Sequence, residues 1–211
     1  MKRLLFVVLA VVYLCPVLPA QEKKAVKKAP VKAATKGSPA KSESNTKEIH
    51  WITNMDELQA KMKKEPRKVY MDVYTDWCGW CKKMDATTFS DPNVIKYMNT
   101  NFYPVRLDAE RKDNINFNGK EYHFEPQYKA NTLAVDLLQG KMGFPTSVFM
   151  LENFSNPTPI AGYFDVKQIE MFLTFFGDNN YKHMTFDNYQ KEFKSKWDKG
   201  VAADNTPPPG H

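Results

Sequence analysis

Cys78 and Cys81 stand with two residues between them in Trp77-Cys78-Gly79-Trp80-Cys81-Lys82-Lys83-Met84, and this block constrains the chain most. Before it runs Val69-Tyr70-Met71-Asp72-Val73-Tyr74, apolar and β-branched enough for a buried strand. After it, Lys82 to Phe89 has neither Gly nor Pro and reads as a helix. A strand feeding a helix here puts the first sulfur at a helix N-terminus. There the unpaired N–H groups and the helix dipole favour negative charge. The thiolate is the reactive form of cysteine, so the placement makes Cys78 a nucleophile. Cys81, one turn on, is placed to attack a mixed disulfide and release its product. The spacing therefore points to redox exchange.

The third cysteine, Cys15, lies in an N-terminal apolar run. Lys2-Arg3, then Leu4 to Leu18, then Pro19-Ala20 read as a secretory signal over 1–20, cleaved after Ala20. The run is short for a bilayer span; an uncleaved anchor is the alternative. Leu14 ahead of Cys15 argues against a lipoprotein. With the signal removed, no cysteine remains for a structural framework. A bridge one turn long closes little chain and so adds little stability. Zinc would need four ligands, and His50, His123, His183 and His211 supply no second half of a zinc pattern. The expected cofactor set is empty apart from a redox-active Cys78–Cys81 disulfide, with no metal.

Charge divides the chain. Residues 21–47 carry eight Lys against Glu22 and Glu43, a net +6, and Lys2 and Arg3 add +2. The whole chain is +6, so residues 48–211 carry 6 − 6 − 2 = −2. The domain is not basic, and no nucleic-acid partner is expected. The Lys/Ala/Pro-rich stretch 21–47 cannot bury a core and reads as a disordered linker. It serves as a solvated spacer or as a weak tether to an anionic membrane surface.

The remaining elements follow in order. Asn54 caps a helix over Met55–Glu65, with Glu57 completing a capping box. Pro92 opens a helix with Val94, Ile95 and Met98 on its apolar face. Phe102–Asp108 is a second strand. Within 114–124, Asn118-Gly119 between two short runs marks an inserted β-hairpin. Helices are expected over Gln127–Gln139, Val166–Phe176 and Phe186–Trp197, and strands over Ser147–Leu151 and Pro159–Tyr163. Residues 48–200 thus make one α/β domain with a C-terminal helical extension, and 201–211 a disordered Pro-rich tail.

Three separated motifs carry a family resemblance. They are Asp72 six positions before Cys78, the Trp77–Lys82 block, and Gly143-Phe144-Pro145-Thr146 ahead of a strand. Over roughly residues 50–177 the chain resembles the thioredoxin-fold family. Lys82-Lys83-Met84 and Phe89–Val94 are similar to an exported subgroup, akin to the C-terminal domain of bacterial thiol:disulfide interchange proteins. The resemblance implies a central mixed β-sheet flanked by helices. It implies Cys78 as the attacking cysteine, Cys81 as the resolving one, and Asp72 as a buried acid exchanging a proton with Cys81. It implies a cis Pro145, with Trp77, Gly79, Trp80, Phe144 and Pro145 meeting substrate, and Arg106 in the place of a buried-network Lys. Gly79-Trp80 departs from the Gly-Pro of the best-known reductants, and the 114–124 hairpin is extra.

The expected function is an exported thiol:disulfide oxidoreductase, periplasmic or secreted in a bacterium, acting on protein thiols and disulfides. Its direction is expected to be reductive, with an unidentified redox partner that can be membrane-bound. An oxidase or isomerase is the second reading, and a non-catalytic chaperone that binds extended peptides the third.

Overall fold

The computed structural model describes residues 47–197 and 206–208. The expected signal at 1–20, the linker up to residue 46, and the tail at 201–205 and 209–211 lie outside the described residues. Helix α1 (Met55–Lys64) buries Met55, Leu58 and Met62. Asn54 Oδ1 accepts from the N–H groups of Asp56 and Glu57 at 2.7 and 3.3 Å. Glu57 pairs with Lys61 at 3.6 Å, so the cap rests on Asn54. Strand β1 (Lys68–Tyr74) is buried at every residue but its last, which its near-continuous apolar run requires.

Helix α2 (Gly79–Ala86) starts earlier than Lys82 because Cys78 itself is the N-cap. It ends before Phe89, where the Thr87 hydroxyl donates back to the Lys83 carbonyl at 2.8 Å. Helix α3 (Pro92–Asn101) is capped by Asp91, whose Oδ1 accepts from Asn93 and Val94 N–H. Strand β2 (Phe102–Asp108) follows as expected. The expected hairpin forms from β3 (Ile115–Phe117) and β4 (Lys120–Tyr122). Asn118 and Gly119 both take positive φ, 50° and 79°, as a tight hairpin turn needs.

A second ribbon, β5 (Phe124–Glu125) with β6 (Ala130–Asn131), was not anticipated. It shortens the expected Gln127–Gln139 helix to α4 (Thr132–Leu137). Lys129 takes φ 51°, which breaks a helix there, and Asn131 Oδ1 accepts from Leu133 N–H at 3.1 Å to start the helix anew. Strands β7 (Thr146–Met150) and β8 (Thr158–Ala161) precede α5 (Val166–Gly177), which opens on an Asp165–Gln168 capping box. The last helix, α6 (Phe186–Glu192), stops well before Trp197. Its expected C-terminal half runs outside the helix because Glu170 on α5 claims it. Lys196 and Trp197 N–H donate to that carboxylate at 2.8 and 3.2 Å, and the Ser195 hydroxyl donates to it as well.

The main sheet has order β2-β1-β7-β8. β1 and β2 are parallel, while β1–β7 and β7–β8 are antiparallel. This is the expected mixed sheet, flanked by helices on both faces. Val69, Met71 and Val73 face the cluster formed with α1, α4 and the hairpin. Tyr70 faces the cluster formed with Met84 of α2, α3 and α5. Side chains alternate along a strand, so Asp72 points to the α2 side together with Tyr70. Among the described residues, no helix is long and apolar enough to cross a membrane.

Candidate active site

The redox pair sits where β1 ends and α2 begins. Cys78 has extended backbone angles, φ −70° and ψ 105°, and its side chain occupies the position of a capping oxygen. Its sulfur accepts from the Cys81 N–H at 3.0 Å. The two sulfurs form a disulfide of 2.08 Å. Each cysteine is only 3% exposed. A sulfur in the cap position receives both the orphan N–H groups and the positive end of the helix dipole, which stabilise a thiolate once the bridge is reduced.

The flanking residues fall into two groups. Trp77 is 62% exposed and meets Phe144 edge-on, with ring centroids 5.9 Å apart. Phe144 precedes Pro145 through a cis peptide bond, the expected isomer. The Pro145 carbonyl accepts from Gly162 N–H at 2.9 Å, and the next residue, Thr146, pairs with Val73. Pro145 therefore lies at the sheet end from which Cys78 departs. Gly79 is the first residue of α2. Trp80 turns elsewhere, to Tyr163 at 5.3 Å, and Lys83 Nζ lies 5.3 and 5.5 Å from these two rings.

Asp72 is 1% exposed, and neither carboxylate oxygen has a hydrogen-bond partner. Arg106, its register partner on β2, brings Nη2 to 3.0 Å without hydrogen-bond alignment. The contact is Coulombic, and it does not offset burial. Desolvation pushes the Asp72 carboxyl up to about 7, against the pull of Arg106. Arg106 also donates to Asp85 on α2 at 3.1 Å and lies over the rings of Tyr74 and Trp51. A carboxyl that titrates near neutrality can take up and return a proton under physiological conditions.

The sequence marks Arg106 and carries Lys83 within the Lys82-Lys83-Met84 motif, whereas Asp85 and Tyr163 gain their place at the site from the fold. Asp85 follows Cys81 by four residues, the spacing that puts two side chains on one helix face. That signal was available. Tyr163 gave none, because its contact with Trp80 depends on how the β8–α5 connection passes the start of α2. Among the described residues, no group of three or more His, Cys, Asp or Glu stands where it could hold a metal ion.

Sheet order, cis proline and capping cysteine together define a thioredoxin-fold protein with a redox disulfide at a helix N-terminus. The chain belongs to the Thioredox_DsbH family ("Protein of unknown function, DUF255"), which matches residues 31–199. Two curated relatives are the "Thiol:disulfide interchange protein DsbD" of Pectobacterium atrosepticum and of Escherichia coli K12. The first is 38% identical over 47 residues, 22% of this chain and 8% of that protein. The second is 46% identical over 46 residues, 21% of this chain and 8% of that protein. The matched stretch is thus a small part of each relative. A thioredoxin-fold protein from Helicobacter pylori aligns in structure with TM-score 0.47 and 15% identity, covering 60% of this chain and 79% of that one.

Proposed function

We propose that this protein is an exported thiol:disulfide oxidoreductase that reduces disulfides in other proteins. The observation that carries the reading is the Cys78 sulfur serving as the N-cap of α2, bonded to the Cys81 N–H at 3.0 Å. The name of the two curated relatives, thiol:disulfide interchange protein, supports the same chemistry. In the reduced chain, the Cys78 thiolate attacks a substrate disulfide. One substrate sulfur leaves as a thiolate and the other forms a mixed disulfide with Cys78. Asp72 takes the Cys81 proton, and the Cys81 thiolate attacks the Cys78 sulfur. The substrate departs fully reduced, and the Cys78–Cys81 disulfide is left. A dithiol partner, membrane-bound or free, then returns two electrons. Trp77, Gly79, Phe144 and Pro145 line the approach to Cys78 and meet the substrate, and Trp80 meets it from the Tyr163 side. The signal at 1–20 delivers the chain to a periplasmic or extracellular space, where such a pair finds oxidised substrates.

The test is a Cys81→Ala variant, in which the resolving attack cannot occur. It should accumulate mixed disulfides through Cys78, visible on non-reducing gels and lost with a further Cys78→Ser change. The absence of trapped partners would overturn the reading. The direction is read from the reduction potential of the pair. A value near −270 mV, about that of thioredoxin, fits a reductant, and a value near about −120 mV would make the chain an oxidant instead.

A further inference from the structure

Lys83 links the redox helix to a distant piece of chain. Its ammonium lies over both Trp80 and Tyr163, and it also donates to the Thr206 carbonyl at 2.6 Å, across a separation of 123 residues. Thr206 and Pro207 are exposed, while Pro208 is half-buried. The segment that reaches this corner reads Thr206-Pro207-Pro208, and a third proline follows in the sequence. Consecutive prolines hold an extended polyproline conformation with no internal hydrogen bonds, so their carbonyls are open to outside donors. Grooves lined with aromatic rings bind such segments at low entropic cost, because the conformation is already set. Two rings 5.3 Å apart with a cation between them and the peptide carbonyl offer that chemistry. One of the rings belongs to Trp80, which stands between the two cysteines.

We propose that Trp80, Lys83 and Tyr163 form a docking surface for the chain's own proline-rich tail, and that the docked tail screens the Cys78–Cys81 pair from large substrates. The proposal rests on the redox reading above. The tail takes no part in electron transfer. It competes with a protein substrate for the ground beside the disulfide, while a small dithiol still enters. Because the tail is tethered, its effective concentration at the surface is on the order of millimolar, so even a weak contact is populated.

The experiment compares the mature chain with one ending at Ala203. Three quantities are measured: the rate at which dithiothreitol reduces the Cys78–Cys81 disulfide, the rate of insulin reduction, and the indole resonance of Trp80, assigned with Trp80→Phe. The expected result is an unchanged dithiothreitol rate, insulin reduction several-fold faster without the tail, and a shifted Trp80 resonance. A synthetic peptide covering Asn205–His211, added at about 1 mM, should reverse the shift and the acceleration. Lys83→Met in the full chain should reproduce the faster insulin rate. Equal insulin rates in the two chains with an unmoved Trp80 resonance would overturn the proposal. If neither chain exchanges with dithiothreitol or insulin, the redox reading fails. Docking is then decided by the Trp80 resonance and its response to the peptide.

Discussion

Asp72 is a carboxyl placed where its charged form has little support. No hydrogen bond reaches either oxygen, and Arg106 opposes burial without offsetting it. Its carboxyl titrates at about 7 instead of the ordinary 3.8. The folded chain therefore holds a proton that the unfolded chain has released between those two values. The contribution of Asp72 to stability falls as pH rises across that window and levels off above it. At 1.36 kcal/mol per unit, the loss is on the order of 4 kcal/mol. Asp72→Asn removes the titration. Its urea midpoint, followed from about pH 4 to about pH 8, should fall less than that of the unsubstituted chain, and the variant should be the more stable at the alkaline end. Parallel profiles would mean that Asp72 does not titrate in this range. Arg106→Met removes the cation that opposes burial. The Asp72 carboxyl carbon, followed by carbon-13 NMR, should then titrate above its position in the unsubstituted chain. A downward move would show that Arg106 acts mainly by excluding water.

Among the elements, α5 does more than fill a core. Glu170 is 1% exposed, and its carboxylate gathers the Ser195 hydroxyl and the Lys196 and Trp197 N–H groups. This holds Trp197 against Tyr97 of α3, with ring centroids 5.2 Å apart. Glu170→Ala strips three donors of their acceptor and should cost about 2–3 kcal/mol in urea unfolding. It should also open the chain to trypsin at Lys194 and Lys196. Glu170→Gln keeps one acceptor oxygen and should lose less; equal losses would show that Glu170 acts by packing rather than by hydrogen bonding. The same contact shows where sequence reading stops. Tyr189, Phe193 and Trp197 repeat at helical spacing, yet the helix ends at Glu192, because a carboxylate on another helix satisfies the backbone beyond it. Strands β1 and β2 and helix α3 were legible because hydrophobic run, proline and cap all agreed there. The β5–β6 ribbon was not, since two-residue strands carry no periodicity. At the site, Cys78, Cys81, Asp72 and Pro145 were marked by motif, whereas Tyr163 reaches Trp80 only through the tertiary fold.

At the scale of the whole molecule, charge is segregated along the sequence. Residues 48–211 carry −2, and the 21–47 stretch carries +6 with no apolar run to pack. The folded domain offers an anionic surface no net attraction, so any membrane affinity belongs to the eight Lys. Each Lys near an anionic bilayer is worth about 1 kcal/mol, within a Debye length of about 8 Å at physiological salt. The tether reading predicts that the chain from Gln21 onward sediments with phosphatidylserine vesicles at low salt and is released at about 0.5 M salt. Replacing Lys23, Lys24, Lys27 and Lys28 by Gln removes four charges from the +6 and should abolish most of the binding. The spacer reading predicts no sedimentation at about 0.15 M salt for either chain. Binding that survives replacement of all eight Lys of 21–47 would place the attraction in the folded domain, against its charge, and would exclude the tether. The two readings also differ in consequence. A tethered domain samples the zone just above the bilayer, where a membrane-bound electron donor would stand, whereas a spacer leaves encounter to diffusion. Salt should therefore slow reduction of the Cys78–Cys81 disulfide by a membrane-bound donor under the first reading and leave it unchanged under the second.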